Sequence, residues 1–311
     1  MSTAIATMLL AGLSGIAGQA ALVFDDVSDR NELNRQARFA MQQMVNAVSG
    51  THRLMLPMVD LPATALLENI REQTQPPSAP PAGSTLGTAV LAVALPVTFD
   101  LDANSMPDAD NDGDGRIDED LPADTTNDSK PGIRDIDDDG NGIKDFWLSP
   151  VADDDESSDF AQNEDAINGI DNDGDGNLDE DPGADNNADG CPGLCGVDDD
   201  ADSNTDEGAI EDDDEDGSSD EDWYDALVFY MNNGNLYQRT PVPWDEDGDL
   251  DIDGSDTVES VIAENVSRFR VERLPPKGNR PLILDITLEL TSPTTGQVVS
   301  LHNRIRAGSA R

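Results

Sequence analysis

This chain has little of what a conventional enzyme or nucleic-acid binder needs. Its 311 residues include 2 Cys, 2 His and 4% aromatic residues, and 18 Lys plus Arg face 66 Asp plus Glu, a formal net charge of −48. The histidines, His52 and His302, stand far apart in unremarkable contexts and offer no catalytic pair. Two cysteines supply too few ligands for a structural zinc site. Such an acidic chain repels nucleic acid and anionic lipid headgroups and attracts cations. So few aromatics at this charge also argue against one conventional core spanning the whole length.

The charge is concentrated. From Asp100 to Asp225 the only basic residues are Arg116, Lys130, Arg134 and Lys144, whereas both flanks have ordinary globular composition. The acidic block therefore reads as an insertion, and three regions follow: 1–100, a duplicated Asp-rich insertion over 101–221, and 222–311.

Residues 1–24 carry no charged side chain, enough for a helix of ~36 Å at 1.5 Å per residue, the length of a membrane span. A cleaved signal peptide with Gly18 and Ala20 as a small-x-small site is the alternative. The absent basic n-region and the continuing 3/4 spacing of Leu33, Ala37, Ala40, Met41, Met44 and Val48 favour one retained helix over 1–50, apolar all round and then amphipathic. A second helix is expected with Pro62 near its start and Leu66, Leu67 and Ile70 on one face. TQPPSAPPAGS (73–83) breaks regular structure, and 88–101 reads as a buried strand.

Beyond the block, ALVFYM and LYQRTPV flank Asn232-Asn233-Gly234-Asn235, a hairpin pattern. VESVIAENV (258–266) suggests a short helix or turn, 267–274 alternates, and the final segments form a hairpin around Pro293 to Gly296. The expected class is α+β, a long N-terminal helix packed on an antiparallel sheet.

Aligned with itself, the block repeats at an offset of 61 residues: DNDGDGRIDEDLPAD (110–124) matches DNDGDGNLDEDPGAD (171–185), and PGIRDIDDD (131–139) matches PGLCGVDDD (192–200). Acidic filler would not keep register in this way. The recurring unit is D-x-D-x-[DN]-G-x-x-D. Its ligand candidates are Asp110, Asp112, Asp114 and Asp118; Asp137, Asp139, Asn141 and Asp145; Asp171, Asp173, Asp175 and Asp179; and Asp212, Asp214, Asp216 and Asp220. A weaker copy, Asp198, Asp200, Asp202 and Asp206, has Ser203 in the glycine position, and the segment ending at Asp159 has lost the pattern.

The spacing suits calcium. That ion takes about six to eight oxygens, and a chain wrapped around it presents positions 1, 3, 5, 7 and 9, with glycine at 6 for the sharp turn. Ile117 and Leu178, at position 8, would point inward as a small core. The glutamate at position 12 of an EF-hand is missing, since Leu121 and Pro182 stand there. The loops instead resemble the chained aspartate loops of thrombospondin type 3 repeats, in which neighbours share ligands; Asp120, Asp124, Asp181 and Asp185 are the candidates for sharing. Without metal, so many carboxylates with so few aliphatic residues should leave the block extended. With several calcium ions, binding free energy becomes folding free energy. A short disulfide between Cys191 and Cys195 fits an exported protein. DEDGDLDID (245–253) has Leu250 in the glycine position and reads equally as a weak site or an acidic turn. The regular carboxylate spacing leaves nothing to assign to acid-base catalysis, so the chain reads as a non-enzyme.

The flanks resemble a known family. ELNRQARFAMQQMVNAV (32–48), VFYMNNGNLYQR (228–239), ENVSRFRVERL (264–274) and LILDITLELTSPTTGQVVSLHNRIR (282–306) are similar, in order and spacing, to the minor pilin W and type II secretion pseudopilin J group. The resemblance covers about 1–100 and 222–311. It implies a structural subunit of a type IV pilus or type II secretion filament, its helix packed against other pilin subunits, held in the inner membrane before assembly, with the folded part periplasmic or on the cell surface afterwards. Gly12, Gly15 and Gly18 would then allow close helix packing, and the calcium block would protrude and serve adhesion. The family's G-[FM]-T-L-[IV]-E motif is missing and is expected directly before Met1. The alternative is a membrane-anchored extracellular calcium-binding surface protein with no filament role.

Overall fold

The computed structural model describes residues 2–57, 70–77, 89–138, 143–145, 147, 149–153, 162, 165–167, 181–200, 202–274 and 282–309, with side chains from residue 26 onward. Among these residues one helix, α1 (Ser2–Gly50), precedes nine strands: β1 (Leu54–Leu56), β2 (Ile70–Thr74), β3 (Val90–Ala94), β4 (Ala226–Asn232), β5 (Asn235–Pro241), β6 (Thr257–Ala263), β7 (Val266–Leu274), β8 (Ile283–Thr291) and β9 (Val298–Arg306). They form two antiparallel sheets, ordered β1-β3-β4-β5-β6 and β2-β7-β8-β9.

The expected α+β class is thereby corrected. Among the described residues the protein is mostly β, with a single helix set against two sheets rather than a helix on one sheet. Two local departures contribute. Ile70, expected on a second helix, opens β2, and the rest of that expected helix lies outside the described residues. Of residues 258–266, expected as a short helix or turn, 258–263 belong to β6, laddered to β5 with Thr240 opposite Val258 and Tyr237 opposite Val261, and Val266 opens β7. Their 3/4 spacing of apolar residues imitates a helix, but β-branched Thr257, Val258, Val261 and Ile262 suit an extended chain once a partner strand is available.

The hairpins follow the sequence pattern. Asn232 pairs with Asn235 around Asn233 (φ 50°) and Gly234 (φ 79°), the double left-handed turn whose twist matches a two-residue hairpin. β8 and β9 pair from Ile283–Arg306 to Thr291–Val298. Alternation places Leu284, Ile286, Leu288 and Leu290 inside, and they meet Phe269 and Val271 of β7, Leu91 and Val93 of β3, and Leu227 and Phe229 of β4. Leu33, Ala37, Ala40, Met41, Met44, Ala47 and Val48 of α1 join this same core. The small alanines and the unbranched methionines among them let the two sheets close around the helix. Asp29 accepts hydrogen bonds from Ser292 Oγ at 3.0 Å and from Thr294 Oγ1, fastening α1 to the β8–β9 turn.

The acidic block occupies the β3–β4 connection. Those strands are direct neighbours, Ala94 opposite Ala226, and the Leu95 N–H donates to the Asp225 carbonyl at 2.9 Å. The chain thus leaves the sheet and rejoins it at adjacent positions, so a long excursion does not disturb the ladder. The part of the block before residue 139 does not stand off as an extended chain: Ile133 and Ile136 pack with Leu56, Val90, Ala92 and Val228, and Leu121 packs with Ala94 and Tyr224. Arg71 of β2, 1% exposed, donates to the carbonyls of Asp137 (2.5 Å) and Asp138, and Arg239 Nη1 of β5 donates to the Arg134 carbonyl at 2.6 Å. Ile117 turns toward the main core instead of a small core of its own; Leu178 lies outside the described residues.

Candidate metal centre

Short acidic loops curl here because each leading carboxylate accepts hydrogen bonds from the backbone that follows it. Asp110 Oδ1 accepts the N–H of Gly113 at 2.8 Å and of Gly115 at 3.4 Å; Asp112 accepts Asp114 N–H at 2.9 Å and Asp114 accepts Arg116 N–H at 2.6 Å. At Asp212 the same scheme links Gly217, Asp216 and Ser218 to Asp212, Asp214 and Asp216. At Asp198 it links Ser203, Asp202 and Asn204 to Asp198, Asp200 and Asp202. Position 6 is left-handed in all three, with φ 102° at Gly115, 96° at Gly217 and 84° at Ser203. Serine therefore adopts the turn that glycine makes without strain. The ninth residues Asp118, Asp145, Asp206 and Asp220 also have positive φ, between 44° and 62°, which short polar side chains tolerate best.

Glycine was too strict a marker. The identical curl appears at Asp100, Asp102 and Asn104 with Ser105 (φ 76°), and at Asp245, Asp247 and Asp249 with Leu250 (φ 82°). It appears again at Asp124 and Asp128 with Ser129 (φ 63°), and at Asp185, Asn187 and Asp189 with Gly190 (φ 81°). The legible signal was a carboxylate followed at +2 and +4 by short oxygen-bearing side chains, whatever stands at +5. Asp124 and Asp185 thus head loops of their own. In the Asp100 loop, Asp108 takes the ninth position and accepts Leu101 N–H at 2.9 Å.

The 61-residue duplication is also a duplication of hydrogen bonds. Ser129 to Asp124, Lys130 and Arg134 to Asp128, Ile133 to Asp138 and Asp135 to Asp145 recur as Gly190 to Asp185, Cys191 and Cys195 to Asp189, Leu194 to Asp199 and Gly196 to Asp206. Cys191 and Cys195, which replace Lys130 and Arg134, are joined by a disulfide.

Convergence is selective. Asp110, Asp112 and Asp114 each bring one carboxylate oxygen within 4.8 Å of the others; so do Asp100, Asp102 and Asp108, then Asp112, Asp214 and Asp216, and then Asp114, Glu119 and Asp214. The last two groups draw on the first and last loops together. Glu119 was not anticipated, because it lies outside the nine-residue unit. Asp118 is engaged elsewhere: His52 Nε2 lies 2.7 Å from its Oδ2. His52 is therefore not the isolated histidine its context suggested, and it ties the end of α1 to the block. One oxygen each of Asp145 and Asp206 accepts a backbone N–H, from Asp135 and Gly196. Asp139, Asn141, Asp171, Asp173, Asp175 and Asp179 lie outside the described residues, while Asp137 is 1% exposed and its carbonyl accepts from Arg71.

Burial makes these carboxylates expensive to ionise. It raises Asp128 and Asp213 to about 7, and Asp124, Asp214 and Asp220 to about 6. Burial and then contact with Asp222 push Glu119 up to about 9; burial and then Asp120 push Glu221 to about 8. Asp222 itself is raised to about 7 by burial, and Asp118 is raised by burial despite His52. Asp118 Oδ1, Glu119 Oε2, Asp212 Oδ1, Asp213 Oδ1 and Asp222 Oδ2 are buried without a hydrogen-bond partner. Buried carboxylate oxygens in groups, short of donors, are what a hard divalent cation would satisfy. Oxygens 4.8 Å apart or closer fit around an ion with metal–oxygen distances of about 2.3–2.6 Å. The residues present therefore suit calcium.

The same groups gather no nucleophile paired with a base. Compared with known proteins, the chain matches no family model, no curated protein and no solved structure. No helix among the described residues is long and apolar enough to cross a membrane, and the side chains of residues 1–25 lie outside that description.

Proposed function

We propose that this chain is a structural protein that acts outside the cytoplasm, a filament subunit of the minor pilin or pseudopilin kind, whose acidic block folds around several calcium ions and is displayed for adhesion. The observation that carries the calcium reading is the set of buried, donor-less carboxylate oxygens gathered at the first and last loops of the block. The Cys191–Cys195 disulfide supports an oxidising compartment. The filament reading rests on the order and spacing of the flanking motifs, and its route through the inner membrane rests on residues 1–24. A second reading, a surface-held calcium-binding protein without a filament role, shares the metal chemistry and lacks only the assembly step.

Calcium supplies charge neutralisation and a fixed ligand geometry. The chain supplies the curled loops, the exclusion of water from Asp118, Asp212 and Asp222, and the anchorage through Arg71, Arg239 and His52. Loops of this kind outside cells work at Kd of about 10⁻⁴ to 10⁻³ M, which matches an environment where calcium is plentiful. Limited proteolysis of the full chain in millimolar calcium and in chelator tests the reading. Cleavage within 105–221 should be slow in calcium and fast in chelator; equal rates would overturn it. An in-frame G-[FM]-T-L-[IV]-E sequence upstream of Met1 separates the filament reading from the second one.

A further inference from the structure

The two ends of the acidic block meet face to face, although about a hundred residues separate them in sequence. Asp120 accepts the N–H of Asp213 at 3.2 Å and of Glu221 at 3.4 Å, and the Asn111 N–H donates to Asp222 Oδ1 at 3.3 Å. At this seam the oxygens of Asp114, Glu119 and Asp214 lie within 4.8 Å of one another. Behind them stands Asp222, 1% exposed, in side-chain contact with Glu119. Asp222 Oδ2 and Glu119 Oε2 are both buried without a hydrogen-bond donor.

Among the described residues, the one positive charge beside this group is insufficient. Arg116 lies 3.6 Å from Asp114 Oδ2 through Nε and 3.6 Å from Asp214 Oδ2 through Nη1, with 41% of its side chain exposed. It approaches from the solvent side at more than hydrogen-bond length, and its single charge opposes four carboxylates. A divalent cation offsets twice that charge and reaches all three oxygens at once.

Resting on the reading that the block binds calcium, we propose that one ion is held jointly by Asp114, Glu119 and Asp214, with Asp222 supporting Glu119. This ion staples the start of the block to its end. The ligands come from different loops, so the site forms only when both loops are docked, and ion binding at the seam is coupled to closure of the whole β3–β4 excursion. Loop-closure entropy makes such a long-range staple more stabilising than an ion held within nine residues. The seam adjoins the Leu95–Asp225 hydrogen bond, so the staple also fixes how the block is presented on the sheet.

The test counts calcium ions bound to the full chain by native mass spectrometry and measures their affinities by calorimetric titration, for the wild-type protein and for Glu119→Gln, Asp222→Asn and Arg116→Gln. Glu119→Gln should bind one ion fewer, or bind one ion about tenfold or more weakly, while the ions of the separate loops keep their affinity. Asp222→Asn should weaken the same ion. Arg116→Gln, which removes a 41% exposed guanidinium that also donates to the Asp199 carbonyl, should retain every ion and bind that one more tightly. Wild-type stoichiometry and affinity in Glu119→Gln, or loss of the ion in Arg116→Gln, would overturn the staple and leave the calcium reading standing. A wild-type protein that takes up no calcium would overturn both.

Discussion

Raising the pH from 5 to 8 in the presence of chelator should weaken this protein, the reverse of what most acidic proteins do. A carboxyl whose folded pKa is raised contributes stability fully present below its unfolded pKa, and loses it as pH climbs through the folded value. Asp128, moved by burial from 3.8 to about 7, corresponds to roughly 4 kcal/mol at about 1.4 kcal/mol per pH unit. By the linkage relation about 2.5 kcal/mol of that is lost between pH 5 and 8. Asp124, Asp213 and Asp222 add losses in the same window, and Glu119 and Glu221, whose folded pKa values lie at its upper edge and above, lose stability throughout it. Relaxation and water entry reduce every one of these figures. A net fall of about 3 kcal/mol is expected, or roughly 6–12 °C in Tm for a chain of this size. The groups with depressed pKa values, Glu32 and Asp285, titrate below this window and do not oppose the trend. In millimolar calcium the fall should vanish or reverse, because the ligands bind metal only when deprotonated. Thermal unfolding followed by circular dichroism at pH 5, 6, 7 and 8, with and without calcium, measures this. A metal-free Tm that is flat or rises with pH would refute the burial of these carboxylates.

The docking of the block on the sheets makes further predictions. Ile136→Ala removes a 2% exposed side chain from the contact with Leu56, Val90 and Val228 and should cost about 2–4 kcal/mol in urea denaturation; a loss under about 1 kcal/mol would mean that the block does not pack there. Gly254→Ala drives a Cβ into the Thr126 carbonyl, in the segment where the Gly254 N–H donates to Asn127 O. It should destabilise by about 1–3 kcal/mol and speed proteolysis of 245–256 even in calcium. Unchanged protection would show that this approach is looser.

The sequence determined a good deal here by local rules. Asn233-Gly234 sets a hairpin because its left-handed backbone matches strand twist, and alternation from Ile283 to Leu290 sets a buried face because side chains on a strand point in turn to opposite sides. The aspartate spacing and its 61-residue echo set the curled loops, because a carboxylate two to five residues upstream can accept the N–H groups of its own turn. Each of these rests on neighbours within a few residues. Tertiary structure decided what local rules could not reach. Residues 258–263 repeat apolar side chains at helical spacing, and only the ladder to β5 makes them a strand. Two sheets rather than one close around Leu33 to Val48 of α1, because strands far apart in the chain divide that core between them. Serine and leucine hold the left-handed turn at positions 203 and 250, where the repeat pattern called for glycine, and serine holds it again at 105. His52 finds Asp118, and Glu119 joins Asp114 and Asp214, because antiparallel pairing of β3 with β4 brings the first and last loops of a long insertion back to one place. That meeting is a property of sheet topology, and no spacing along the sequence encodes it.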